Sequence, residues 1–381
     1  MPGMTPTDGC AVAAPSITFR PPAGHIALVV VIFFAALAGS CVLLKRCLPF
    51  PDVPVVQEKL EQFTQHGDDF DLVFLGSSRV YFQILPSIFD RIAGEHGVPM
   101  QSFNAGIGAM VPPEDSYVLD QILRRPHRRL RWVIFEIMPL HANFDPILAE
   151  TGRLTYWRDW PRTRLLTERF GKEWAEALRG ANGRAVGWPA QFETCCQALE
   201  VWLGNVGLFV RNYCNLGRGE ELFARQTGRA KKSGIRLVVN GQLWDGWDYP
   251  KISKPMAANE KKRTEYEEAL DGLLRTEQRF DFGDSVSRET LSAKLARLAE
   301  AGVTPIMIIP PTVAEKRYYP TPIAGQSLTI WDFSDPRQYP ELFSVDHRLD
   351  GMHLNAAGAE IFTKAIAEKF VEIAKSGGPL R

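Results

Sequence analysis

The sequence predicts an α/β protein: a parallel sheet with helices on both faces, broken by a helical insertion and preceded by one membrane-spanning helix. Three observations carry this. Short apolar runs at 71–75, 100–103, 132–137, 304–309 and 328–333 alternate with amphipathic segments of helix length, the pattern of strands buried on both faces and joined by crossover helices. Between 145 and 300 the alternation lapses into longer amphipathic stretches. Finally, residues 26–44 carry no charge, and a run of about 20 apolar residues spans a bilayer as a helix.

Composition narrows the classes. Of 381 residues, 45% are hydrophobic and 23% charged, which is ordinary for a globular chain and leaves room for one large domain or two smaller ones. Lys+Arg and Asp+Glu are both 44, so nothing draws the whole chain to nucleic acid or an anionic surface, and no nucleic-acid partner is expected. The cysteines at 10, 41, 47, 195, 196 and 214 lack zinc-site spacing. A disulfide from Cys214 to Cys195 or Cys196 and free buried thiols both fit; free thiols are the preferred reading.

Residues 1–25, rich in Pro, Ala, Thr and Gly, read as a disordered tail, and 26–44 as the transmembrane helix. A cleaved signal peptide, with Ala36-Leu37-Ala38 as its site, and lipidation at Cys41 are the alternatives. Both sit poorly with a single basic residue, Arg20, ahead of an apolar run that continues past Cys41. Lys45 and Arg46 follow the helix directly, and the positive-inside rule then favours a cytoplasmic domain. Residues 45–56, with Pro49, Pro51 and Pro54, read as an extended spacer.

The α/β domain is assigned to 57–144 and 301–381, with 145–300 as the insertion. Gln57–His66 is a helix leading to the first strand, Asp71–Leu75. Pro86 opens a helix ended by Gly94. The Met100–Phe103 strand runs into a glycine-rich turn, Asn104–Ala109, and a helix follows Pro112-Pro113 to Leu123. The basic run Arg124–Arg131 reads as a solvated connection. Trp132–Ile137 is a strand whose apolar run is broken by Glu136. In the insertion, Glu168–Leu178, Gln191–Leu203 and Lys261–Glu277 read as helices and Ile235–Val239 as a strand, with the tryptophans at 157, 160, 174, 188, 202, 244 and 247 as packing residues. Ser287–Ala301 is a helix ended by Gly302, Thr304–Ile309 and 328–333 are strands, and Ala356–Ala374 is the closing helix.

The chemistry gathers at two places. Gly76-Ser77-Ser78-Arg79 follows the first strand, where a glycine turn lifts the next side chains clear of the sheet at the carboxyl end. Asp350-Gly351-Met352-His353 lies on a tight loop before the last helix. A serine hydroxyl needs a base within hydrogen-bond reach, and the base needs an acid to fix its tautomer. Ser78, His353 and Asp350 supply those types. A tetrahedral oxyanion needs preformed N–H donors, for which the Ser78 amide, Gly108 and Ala109 are the candidates. A literal Gly283-Asp284-Ser285 follows no buried strand and reads as a helix N-cap. Asp346 and His347 read as loop residues. No metal-ligand spacing or dinucleotide glycine fingerprint occurs, and no cofactor is expected.

At these residues the chain resembles the SGNH (GDSL-like) hydrolase superfamily. Four blocks carry the resemblance: FLGSSR, with Gly76-Ser77-Ser78 in place of Gly-Asp-Ser; FNAGIGAM, with Ala109 at the family's glycine position; WVIFEIMPLHAN, with Leu140 where the family has Asn, and Asn143 or His141 as weak substitutes; and DGMHLNAAGAEIFT, a close match to Asp-x-x-His. The blocks cover roughly 71–141 and 304–374. The resemblance implies a flavodoxin-like three-layer α/β/α fold with Ser78 as nucleophile, and makes Arg79, Asn104 and Gly106 substrate-binding candidates. With the membrane helix and insertion, the chain is similar to the branch that acylates cell-envelope polymers, which includes alginate O-acetylation proteins and the D-alanyl-lipoteichoic acid biosynthesis protein. That implies an acyl donor, a glycan acceptor, a membrane-bound O-acyltransferase partner and a domain outside the cytoplasm, against the flanking charges. A non-catalytic scaffold of the same fold, and an esterase for lipid or small esters, are the alternatives.

Overall fold

Five strands form an all-parallel sheet in the second unit of the chain. The computed structural model describes residues 22–140, 152–179, 188–219, 221, 238–239, 242–247, 256–275, 279–282, 285–313, 317–319 and 328–376. The chain divides into two units, 1–49 and 50–381. In the first, helix α1 (Ala23–Cys47) is long and apolar enough to cross a membrane. It extends the expected 26–44 span at both ends, so the expected tail loses Ala23, Gly24 and His25 to the helix and the spacer loses Lys45, Arg46 and Cys47. The rest of the expected tail, 1–21, lies outside the described residues.

In the second unit the sheet contains β1 (Leu72–Leu75), β2 (Ser102–Asn104), β3 (Trp132–Glu136), β7 (Thr304–Ile309) and β9 (Ile330–Asp332), ordered β2-β1-β3-β7-β9. Leu72 pairs with Ser102 on one side and Trp132 on the other, Trp132 with Thr304, and Met307 with Ile330. Successive strand residues face opposite sides, and both sides are apolar. Leu72, Phe74, Ile134 and Ile308 enter one core with α4 (Pro86–Glu95) and α10 (Ala356–Lys375). Val73, Leu75, Phe135 and Met307 enter the other with α2 (Val56–His66), α5 (Glu114–Leu123) and α9 (Ser285–Glu300). Burying one such side chain contributes about 1.5–3 kcal/mol, so a polar residue at either set of positions would be costly. A helix of one turn, α3 (Ser78–Tyr81), follows β1 directly.

The insertion is described in pieces. Helices α6 (Trp160–Arg179) and α7 (Trp188–Tyr213) pack together, and α8 (Glu260–Arg275) follows. Of the expected strand at Ile235–Val239, the described residues form β4 (Val238–Val239), antiparallel to β5 (Gln242–Leu243); residues 235–237 lie outside the described residues. β6 (Arg279–Asp281) pairs in parallel with β8 (Arg317–Tyr319). α9 buries Val286, Leu291, Leu295 and Leu298 in the sheet core, so the layered part of the fold resumes at 285. Trp157 and Trp244 are buried, whereas Trp160 is exposed, so packing does not account for every tryptophan here. Cys195, Cys196 and Cys214 carry no disulfide. The basic run is a connection tied down by acids: Arg129 and Arg131 pair with Asp71 at 2.7 and 3.2 Å.

Candidate active site

Gly76 ends β1 where a Cβ would press on Val80 and on the Glu136 carboxylate, so the turn needs glycine. Ser77 then caps α3, its hydroxyl accepting from the Arg79 amide at 3.2 Å. This leaves Ser78 as the first helical residue, at the carboxyl edge of the sheet. Its Oγ lies 2.8 Å from His353 Nε2. On the far side of the imidazole, Nδ1 lies 2.9 Å from Asp350 Oδ2 and 3.0 Å from Oδ1.

The Asp350 loop is shaped by its own carboxylate. Oδ1 accepts from the Met352 and His353 amides at 2.7 and 2.8 Å, a local turn of the kind aspartate favours. Burial pushes the Asp350 carboxyl up, but the hydrogen bond and charge of His353, with those two amides, outweigh it and hold it down at about 2. Asn355 caps α10 through the Gly358 amide at 3.0 Å, fixing the far end of the loop. Val313 N–H donates to Gly351 O at 3.0 Å, and Gln83 Nε2 to Met352 O at 3.1 Å. The loop is therefore tied both to the segment after β7 and to the segment after α3.

Asp346 and His347 do not join this group. His347 Nδ1 lies against Glu341 O at 2.7 Å, and Asp346 O accepts from Asn355. Gly283 and Asp284 lie outside the described residues; Ser285 opens α9 and accepts from Lys172 at 2.8 Å.

The glycine-rich turn runs past the same strand end, Ile107 N–H donating to Gly76 O at 2.9 Å. Ala109 sits at φ 56°, the left-handed region that favours glycine. Gly108 O accepts from Arg153 Nη2 at 2.9 Å, and Arg153 Nε lies 2.6 Å from Glu114. A planar trans peptide points its N–H opposite its C=O, so Arg153 also fixes the direction of the Ala109 N–H. Ser78 N–H, Gly108 N–H and Ala109 N–H take no hydrogen-bond acceptor among the described residues.

The three substrate-binding candidates stand elsewhere. Arg79 is buried, with Nε 2.6 Å from Glu136 Oε1. Asn104 is fully buried, its amide donating to Val80 O and Ile84 O at 2.9 and 2.8 Å and its Oδ1 accepting from Gly106 N–H. A Cβ on Gly106 would lie 2.6 Å from Tyr81 N. Arg79 Nε and the Asn104 side-chain amide are thus turned inward, onto Glu136 and onto the backbone of the serine turn and its neighbours. Leu140 is buried, its N–H given to Ser287 Oγ at 3.0 Å; His141 and Asn143 lie outside the described residues.

Four charges whose roles sequence reasoning did not assign build the surroundings: Glu136, Arg348 and Lys59 are buried and Asp90 is half-buried. Glu136 Oε2 accepts from Ser77 N–H at 2.7 Å while its other oxygen meets Arg79; the polar break in an apolar strand was the available signal. Arg348 is fully buried and donates to the carbonyls of Asp350, Gly351, Pro311 and Leu342. Lys59 donates to Asn104 O at 2.7 Å and Gly106 O at 2.5 Å. Asp90 accepts from Ser102 N–H at 3.0 Å, and burial pushes its carboxyl up to about 7. Beside it, Trp244-Asp245-Gly246-Trp247 runs along the β2 edge. Asp245 O accepts from Asn104 N–H at 2.8 Å, and Gly246, at φ 84°, lies against Asn104 with no room for a Cβ.

A hydroxyl facing an imidazole whose second nitrogen faces a carboxylate can be deprotonated as it attacks a carbonyl. Among the described residues no cluster of His, Cys, Asp or Glu could hold a metal ion. No family model matches the sequence, and no curated protein matches it.

Proposed function

We propose that the chain is a membrane-anchored serine acyltransferase or acylesterase of SGNH type, acting on a cell-envelope or exported polysaccharide. The observation that carries the chemistry is the chain of contacts from Ser78 through His353 to Asp350, at 2.8 and 2.9 Å. The strand order β2-β1-β3-β7-β9, which in chain order is that of flavodoxin-like doubly wound sheets, supports the fold assignment. Ser78 Oγ attacks the acyl carbonyl and its proton passes to His353 Nε2. The oxyanion is met by N–H groups of Ser78, Gly108 and Ala109. The leaving group takes the proton from His353, and an acceptor hydroxyl or water returns one as it attacks the acyl-serine, restoring Ser78. The glycan acceptor, the acetyl-type donor, the partner O-acyltransferase and the location outside the cytoplasm come from the sequence resemblance; α1 supplies the membrane anchor.

A fluorophosphonate serine probe tests this on the full chain. Wild type and Ser77→Ala label, the latter losing a cap worth about 1 kcal/mol of stability; Ser78→Ala and His353→Ala do not. A well-folded wild type that fails to label overturns the proposal. It would then favour a non-catalytic scaffold, a reading to which Leu140 in place of the family's Asn lends weight.

A further inference from the structure

Helix α7 exposes an apolar stripe out of keeping with a solvated face. Leu199, Leu203 and Val210 are 37%, 53% and 43% exposed, and Phe192 is 58% exposed. At 3.6 residues per turn these four, with Cys196, Gly207 and Cys214 just past the helix end, all fall within about 40° of Leu203 around the helix axis. The stripe is about 33 Å long at 1.5 Å per residue. Trp202, on one flank of it, stacks on Phe170 of α6 at 5.2 Å, so α6 occupies that side. The other flank carries Glu193, Glu200 and Arg211.

We infer that α7 pairs with α7 of a second copy of this chain, antiparallel, about a two-fold axis at Leu203. The sequence of the stripe is complementary to itself under that operation. Phe192 meets Cys214, Cys196 meets Val210 and Leu199 meets Gly207, so large side chains face small ones, while Leu203 meets its own copy. Charge follows the same rule. On the open flank Glu193 of one copy lies about 3 Å along the axis from Arg211 of the other, within reach of the two long side chains, and this occurs twice over, because the operation that brings one pair together brings its equivalent. A parallel pairing in register would set Glu193 against Glu193 and Arg211 against Arg211. With α1 in a bilayer, both copies would share one plane, which raises their effective concentration. This inference is independent of the serine chemistry.

The test uses the full chain in mild detergent, with mass measured by light scattering after size exclusion. Wild type runs as a dimer. Leu203→Glu, at an exposed position, runs as a monomer with an unchanged melting curve. Glu193→Arg and Arg211→Glu each weaken the dimer about tenfold by setting like charges together, and the double variant E193R/R211E restores it. In membranes, Leu203→Cys forms an oxidant-dependent disulfide dimer beyond any seen in wild type. A monomeric wild type overturns the proposal, as does a dimer indifferent to Leu203→Glu, the result expected if the stripe lies in lipid or against another protein. Failure of E193R/R211E to rescue overturns the antiparallel register.

Discussion

Asp350 serves two masters with one carboxylate. Its Oδ1 holds the amides of Met352 and His353, and the same group faces His353 Nδ1. Asparagine at 350 would keep the amide contacts through its carbonyl oxygen, yet would present an N–H₂ or a carbonyl to the ring in place of a charge. Asp350→Asn should therefore melt near wild type while the rate of Ser78 labelling falls by on the order of 10²–10⁴. The pH behaviour has a definite sign. The folded carboxyl is held at about 2, against 3.8 for the ordinary group, so what its ionised form contributes is present above pH 4 and lost as pH falls through 2. The loop should keep its shape in mild acid, checked by the His353 ring signals in NMR.

At the scale of elements, the serine turn is fixed by strand β3. Glu136 holds the Ser77 amide with one oxygen and Arg79 with the other. Glu136→Gln takes away the carboxylate that faces the buried Arg79 guanidinium, a change that costs about 3–5 kcal/mol. Replacing both, as Arg79→Met with Glu136→Gln, should recover most of that stability in denaturant unfolding. It should leave probe labelling slow, because the turn has lost its orientation. The strand LVFL, the turn after it and the Asp-x-x-His loop were legible in the sequence because each is a local pattern. Glu136 was visible only as an interruption, since Ser77 is 59 residues away. Arg348 and Arg153 gave no signal at all: a buried arginine looks like a surface one until the topology supplies its carbonyls. For the same reason Arg79 and Asn104 read as substrate ligands from their motifs, although the fold turns them inward.

Across the whole molecule, the edge strand β2 is held by the half-buried Asp90 carboxylate on Ser102 and by the Asp245 backbone carbonyl on Asn104. Burial raises Asp90 to about 7 and also pushes Asp245 up. The folded protein then binds a proton at Asp90 that the unfolded chain, near 3.8, has released. Stability should fall as pH rises from 4 through 7, by several degrees in melting temperature, and Asp90→Asn should flatten that slope. The alternation of strands and helices was legible because strands buried on both faces need continuous apolar runs. The insertion was less so: α6 and α7 pack mainly on one another, while single residues such as Leu166 of α6 and Leu273 of α8 reach the sheet cores.

Ser78 and His353 are separated by 275 residues, most of the chain lying between nucleophile and base. During synthesis α1 and the serine turn emerge first, and the imidazole only near the end. A growing or prematurely released polypeptide thus carries an ordinary, unactivated hydroxyl. Under the proposed function, reactivity would switch on in one step, when α10 docks on α4 and brings the last loop across the strand ends, so that acquisition of probe labelling during refolding would become a clock for completion of the sheet.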